Sequence, residues 1–457
     1  MTLLRSYIGF YIGIYKHRAP TELRPRRSLV LAGSIICLIS ASLFLCVSLS
    51  KSSHTQTRSS LKDAFKDDFL IGAALNRRQI FEEDPRALAI IKAQFNTITP
   101  ENVLKWGLVH PAPDKYDFAA PDRYVAFGEK YHMFIVGHTL LWHQQTPAWV
   151  FQDQKGNPTD RDTLLKRLRE HIMTVVGRYK GRIKGWDVVN EALNDDGTLR
   201  QSPWMKIIGE DYLVKAFQFA HEADPNVQVY YNDYSLENEP KRKGAIELIE
   251  KLKAAGVPIY AVGLQGHDKM DWPTIQQEDA TIKAFANLGI KVNISELDVD
   301  LLPRASQNRG ADISLHVELQ AQLNPYANGL PDSMQQALAK RYADLFGVFV
   351  KHRDVIERVT FWGVTDGDSW LNNWPVRGRT SYPLLFDRAG QPKPAFDAVV
   401  KIGTSGYPST TKPENENCKL GRRNRLRSNL ESGICNLHFS ILNFQFVSAM
   451  PGLGEQK

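Results

Sequence analysis

No cysteine occurs between Cys46 and Cys418. That interval is most of the chain, so its fold rests on no disulfide and its chemistry uses no thiolate. The sequence contains neither H-E-x-x-H nor C-x-x-C, the spacings that offer zinc two ligands from one short element. His138 and His143 lie five apart in a strand-like run and face opposite sides of it. G-x-S-x-G, the turn that presents a hydrolytic serine, is missing. So is a glycine-rich phosphate turn after an early strand, which removes the main signature of a dinucleotide-binding open sheet.

Positive charge is scarce where nucleic acid would need it. The 457-residue chain carries +7, but residues 1–60 hold eight Lys or Arg against one Glu, and residues 404–457 hold seven against four. Residues 61–403 hold 42 basic and 45 acidic side chains, net −3. A body without basic excess does not neutralise a phosphate backbone, and no nucleic-acid partner is expected. Its length is ample for a large core.

Long apolar runs are equally scarce. One stands out: Leu29–Leu49, 21 residues without a charge, preceded by Arg5, Lys16, Arg18, Arg24, Arg26 and Arg27 against Glu22. This length spans a bilayer, and the basic flank keeps its own side cytoplasmic. Residues 1–28 therefore read as a basic n-region, 29–50 as a signal sequence or an uncleaved anchor, and 51–60 as a linker. Both readings export the remainder of the chain, as a secreted or periplasmic protein or as one attached through residues 29–49. At the other end, 404–457 begins with a polar, proline-containing linker and continues with basic and apolar stretches. This composition reads as a largely disordered tail, with membrane or polymer contact as the alternative. A Cys418–Cys435 pairing stays open.

Between these ends, strand-like runs recur at 69–76, 97–102, 133–143, 186–191, 227–233, 259–267, 291–299 and 359–366. Helical patterns separate most of them. Leu164, Leu165, Leu168, Ile172, Val175 and Val176 share one face of residues 163–178. Ile246, Leu248, Ile249 and Leu252 do the same in residues 243–255. Eight strands alternating with helices predict an α/β fold, a single (β/α)8 barrel over 61–403, with a doubly wound open sheet as the alternative.

Each strand-like run turns polar or aromatic at its end, as in Glu101 and Asn102, His138 and Trp142, Asn190 and Glu191, Gln265 and His267, or Glu296 and Asp298. In a barrel these ends meet at one mouth. Asp187 lies deeper and is expected to be structural. Two glutamates at one mouth suit glycoside hydrolysis, one protonated and one ionised. Trp142, Tyr234, Trp362 and Trp370 offer flat faces to sugar rings, although an isolated tryptophan is more often core. A glycosylation sequon at Asn293 falls inside a strand expected to be buried and is set aside.

TPENVLKW, GHTLLWHQQTPAW, WDVVNEA, YYNDYSLE, GLQGH, NISELDV and WGVTDGDSW together resemble glycoside hydrolase family 10, the retaining endo-β-1,4-xylanases. The resemblance covers roughly 61–403. It implies Glu191 as general acid/base and Glu296 as nucleophile, about 5–5.5 Å apart. It implies Asn190 at the sugar 2-hydroxyl, Gln265 and His267 around the nucleophile, and Asp298 behind His267. Glu101, Asn102, Lys105, His138, Trp142 and Gln145 would contact the glycone. Trp362 and Trp370 would close over it, where xylose carries hydrogen and glucose a hydroxymethyl. Tyr234 would stand near the leaving group. The implied partners are xylan and xylooligosaccharides, with no metal or organic cofactor. A monomer is expected. The segment 304–330, after the seventh strand, is an insertion expected to shape the leaving-group side.

Overall fold

In a computed structural model, the structure describes residues 59–304 and 316–405. The expectations for 1–28, 29–50, most of the 51–60 linker and the tail from 406 lie outside the described residues.

The strands are β1 (Leu70–Leu75), β2 (Thr97–Pro100), β3 (Phe134–Trp142), β4 (Gly185–Asn190), β5 (Gln228–Asp233), β6 (Ala261–Leu264), β7 (His267–Lys269), β8 (Lys291–Asp300) and β9 (Ile356–Phe361). The long helices are α1 (Pro85–Gln94), α2 (Ala119–Lys130), α3 (Arg161–Arg178), α4 (Tyr212–Ala223), α5 (Glu239–Ala254), α6 (Ile275–Ala286), α7 (Asp332–Lys351) and α8 (Pro394–Ser405). The sheet runs β6-β5-β4-β3-β2-β1-β9-β8 with every pairing parallel, and β6 also pairs with β8. That last pairing closes the sheet into a (β/α)8 barrel.

The helices form for local reasons. Asp160 caps α3 by accepting from the Thr163 amide, and Asp84 caps α1 with Pro85 at its first position. Thr274 and Gln277 make a reciprocal capping box on α6. The face of α3 read from the sequence is the buried one: Leu164, Leu168, Ile172, Val175 and Val176 all lie inside. Gly137 shows how tightly the wall is filled, since a Cβ there would stand 2.1 Å from the indole of Trp186.

The expected sixth strand, 259–267, is in fact two. Gly266 has φ +75°, a left-handed conformation that breaks the run between Leu264 and His267. β7 then pairs with the end of β8, His267 facing Asp298. From Leu264 to His267 is three residues, whereas their partners Ile294 and Asp298 are four apart. Strand β8 therefore carries an extra residue. Strand β3 gains one over β4 between His138 and Leu141, and β4 gains one over β5 between Asp187 and Val189. Each extra residue reverses the side-chain alternation beyond it. The last strand ends at Phe361 rather than continuing to 366, because Gly363 turns the chain at φ +135°.

Part of the insertion after β8 is described. Val317 bridges to Val376, Asn324 Oδ1 accepts from the Thr380 amide, and Tyr382 donates to the Tyr326 carbonyl. Residues 316–330 thus pack against the loop after β9.

Candidate active site

The carboxyl ends of the strands surround a cleft of about 160 Å³. Its lining is Glu101, Asn102 and Lys105 after β2; His138, Trp142 and Gln145 on and after β3; Asn190 and Glu191 at the end of β4; Gln265 and His267 at the β6–β7 break; Glu296 on β8; and Trp362 and Trp370 after β9. All thirteen are residues singled out from the sequence. Tyr234 is outside this lining. Its ring is buried, Lys241 Nζ sits 3.3 Å from the ring centroid, and its hydroxyl accepts from Arg200 Nη2 at 3.0 Å. Asp298 is buried behind His267, as expected.

Glu296 reaches the cleft because of the extra residue in β8. Consecutive residues there reach one neighbour: Ser295 Oγ donates to Asn232 Oδ1 at 2.6 Å, and Asn232 Nδ2 donates to Glu296 Oε1 at 2.8 Å. A regular strand would send these two side chains to opposite faces. The other oxygen, Oε2, accepts from His267 Nε2 at 3.3 Å. His267 Nδ1 donates to Asp298 Oδ1 at 3.1 Å, and Trp370 Nε1 donates to Asp298 Oδ2 at 2.7 Å. Burial opposes a charge on His267, but Asp298 and Glu296 outweigh it and push the imidazole up to about 10. It is cationic at neutral pH. Burial likewise opposes ionisation of Glu296. The hydrogen bond from His267, the charges of His138 and His267, and Asn232 together hold that carboxyl below its usual range.

Glu191 is built to the opposite end. It comes directly after β4 with φ +58°, uncommon for a residue with a side chain. Trp142 Nε1 donates to Oε2 at 2.8 Å. Gln265 Nε2 and Asn190 Nδ2 donate to Oε1 at 3.1 and 3.2 Å. These favour the charged form, yet burial and then the nearby charge of Asp233 dominate, and the carboxyl is pushed up to about 7. The Trp142 backbone is held in turn, its carbonyl accepting from Trp204 Nε1 and Thr146 Oγ1.

The two carboxyls share one set of amides. Asn232 Nδ2 donates to Asn190 Oδ1 at 2.8 Å as well as to Glu296, and Gln265 stands between Asn190 and Glu191. Asn232 and Asp233 are visible in the sequence as a polar strand end, but nothing in their spacing says that one bridges the carboxyls. Asp187, read as structural, accepts from His138 Nδ1 at 3.0 Å and fixes that ring.

The remaining lining is held as firmly. Lys105 Nζ donates to Asn102 Oδ1 at 3.1 Å and lies 5.1 Å from the centroid of the Trp142 ring. Burial lowers its proton affinity against the pull of Glu296, Glu101 and Glu191. Burial raises that of Glu101. Trp362 meets His138 and His267 edge-on, with centroids 5.4 and 6.3 Å apart. Trp370 stacks on Trp374 at 4.5 Å. Trp374 is a further support that the sequence pattern does not single out.

A buried acid with high proton affinity and a buried carboxylate with low affinity, facing one cleft, can protonate one atom while attacking another. Glycosyl hydrolase family 10 matches this chain over residues 60–402. Endo-1,4-beta-xylanase A of Xylanibacter ruminicola is 45% identical over 347 residues, which are 76% of this chain and 94% of that protein. Beta-1,4-xylanase of Dictyoglomus thermophilum is 42% identical over 345 residues, 75% of this chain and 91% of its own. Among solved structures, a GH10 endoxylanase from a sugarcane soil metagenome superposes with TM-score 0.74 at 45% identity, covering 75% of this chain and all of that one. A mutant of the intracellular xylanase of Thermoanaerobacterium saccharolyticum, complexed with xylotetraose, superposes at 0.65 with 36% identity, covering 74% of this chain and 98% of that one.

Proposed function

The chain belongs to glycosyl hydrolase family 10, and on that premise we propose that Glu191 and Glu296 are the acid/base and the nucleophile of a retaining endo-1,4-β-xylanase. The enzyme cleaves internal β-1,4-xylosidic linkages of xylan and keeps the configuration at the anomeric carbon. The observation that carries the assignment is the opposed proton affinity of two buried carboxyls on one amide network.

In the first step the ionised Glu296 attacks the anomeric carbon while Glu191 gives its proton to the departing oxygen. The glycosidic bond breaks and a glycosyl ester forms. Having lost its proton, Glu191 then takes one from water, which attacks the same carbon and releases Glu296. Asn232 and the cationic His267 hold the nucleophile ionised and aimed. Asn190 is assigned to the 2-hydroxyl of the reacting sugar. Trp362 and Trp370, braced by His138, His267 and Trp374, select xylose by leaving no room for a hydroxymethyl group.

Export rests on residues 1–50, through the apolar run and its basic flank. The intact mass of exported protein distinguishes a cleaved leader from a retained anchor. For the reaction, the test is proton NMR of early products from a soluble β-1,4-xylan. New β-anomer signals that mutarotate later are expected. An early α-anomer would break the double displacement. Replacing Glu296 by Ala is expected to abolish turnover, and wild-type turnover in that variant would refute the nucleophile assignment.

A further inference from the structure

Strand β4 ends in a turn whose carbonyls lie beyond the barrel sheet. Three successive ones, those of Glu191, Ala192 and Leu193, are all taken by one residue. Arg200 Nε donates to the Glu191 carbonyl at 3.2 Å, the Arg200 amide to Ala192 at 2.8 Å, and Nη2 to Leu193 at 3.1 Å. Nη2 also donates to the Tyr234 hydroxyl at 3.0 Å. Arg200 stands on the returning arm of a tight hairpin, where Leu193 bridges to Leu199. Among the described residues, no ion pair joins Arg200 to a carboxylate.

Glu191 needs such a hold. Its backbone is left-handed at φ +58°, a conformation costing about 1 kcal/mol or more for a side-chain-bearing residue and kept only where the surroundings enforce it. On one side the Glu191 amide donates to the Asn232 carbonyl at 2.9 Å. On the other, Arg200 holds its carbonyl. The Tyr234 ring, whose hydroxyl accepts from the guanidinium, is itself held by Lys241, fully buried and 3.0 Å from Asp233.

We propose that Arg200 is a positioning residue for acid/base catalysis, clamping the Glu191 peptide from the leaving-group side so that the carboxyl stays in line with the departing oxygen. It rests on the reading of Glu191 as the acid/base. A planar fork is required, because Nε and Nη2 serve carbonyls two residues apart, and lysine offers a single flexible donor.

The test separates proton donation from everything else the enzyme does. Full-length Arg200→Gln and Arg200→Lys are compared with wild type on xylotetraose, whose leaving group needs a proton, and on 2,4-dinitrophenyl β-xylobioside, whose leaving group does not. Loss of alignment by about 1 Å predicts a fall in kcat/KM on xylotetraose on the order of tenfold to a hundredfold. On the aryl glycoside kcat/KM is expected to stay within about threefold, while kcat and KM fall together because the second step still needs the base. Tyr234→Phe, which keeps the ring, is expected to show a smaller loss of the same kind and covers the case in which the Arg200 variants fail to fold. Equal losses on both substrates, or none on either, in variants that melt like wild type would overturn the role of Arg200. Glu191→Ala is the control: if it lacks this dependence on the leaving group, the assignment of Glu191 fails, and this proposal with it.

Discussion

His267 stands between Glu296 and Asp298 and donates to both. Its charge and hydrogen bond lower the proton affinity of Glu296, so His267→Asn should raise it. The acid limb of the kcat/KM profile then moves to higher pH, and a pH–rate series checks this. The opposite limb belongs to Glu191, which is protonated below about 7 and loses its donor role as pH rises through that value. Asp233 contributes by charge, so Asp233→Asn should make Glu191 ionise more easily and move the basic limb to lower pH. An unmoved basic limb would show that Asp233 has no part in it. At this scale the cleft is largely legible in the sequence, because polar and aromatic residues at strand ends can meet only at the mouth. Asn232 is legible as polar but not as a bridge. Its role depends on which way Glu296 points, and that depends on an extra residue invisible to simple alternation.

That extra residue belongs to the element scale. Alternation along β8 would send Ser295 and Glu296 apart, whereas both reach Asn232. Strands β3 and β4 carry similar irregularities, so three of the strands that supply the cleft depart from the period on which strand reading relies. The break at Gly266 is the partner of the one in β8. A Cβ there would lie 3.2 Å from Ile294 and 3.3 Å from Leu297, at φ +75°. Gly266→Ala is therefore expected to cost about 1–2 kcal/mol and to displace His267. Thermal denaturation reads the first effect, and kcat the second.

The loop bearing Trp362 and Trp370 is pinned by a buried pair. Lys393 Nζ donates to the Asp366 carboxylate at 2.9 and 3.2 Å and to the carbonyls of Tyr382 and Leu384. Lys393→Met should cost about 3–5 kcal/mol at neutral pH, because it strands a buried carboxyl. Burial already pushes Asp366 up to about 6 in the presence of the lysine. Without it the carboxyl holds its proton more strongly, so the loss should shrink as pH falls. Denaturant melts at two pH values test the sign. Asp366 lies within the WGVTDGDSW motif, but nothing in the sequence links it to Lys393, 27 positions on.

At the scale of the whole molecule, eight apolar runs in alternation with helices, without a glycine-rich phosphate turn, favour the barrel over the open sheet, and the barrel is what forms. A buried charge in its wall should be severe. Val188 is 0% exposed, and Val188→Asp is expected to cost on the order of 4–5 kcal/mol or to prevent folding, which a melting curve would register. Residues 59–405 alone should hydrolyse a soluble xylan within about twofold of the full-length rate. A large loss would show that the tail or the leader takes part in catalysis on dissolved substrate. What the sequence hides lies where the wall leaves its regular period, and those places are where the chemistry is.

Glu191, directly after β4, and Glu296, on β8, the proposed acid and nucleophile, come from strands that are not neighbours. From one to the other the wall passes through β5 and β6, three lateral steps of about 4.8 Å along a closed, curved path. Circumference and curvature, which follow from strand number and tilt, set how far apart the two backbones stand, while the extra residue in β8 and the left-handed turn at Glu191 aim the carboxyls across that distance. Loops on this rim can lengthen, shorten or change partners, altering which chains of sugar are admitted and how many units are gripped. The hairpin that carries Arg200 is an exception, because it holds the Glu191 peptide. The frame on which the two carboxyls are mounted is an inheritance of the closed wall, and substrate preference is free to drift around it.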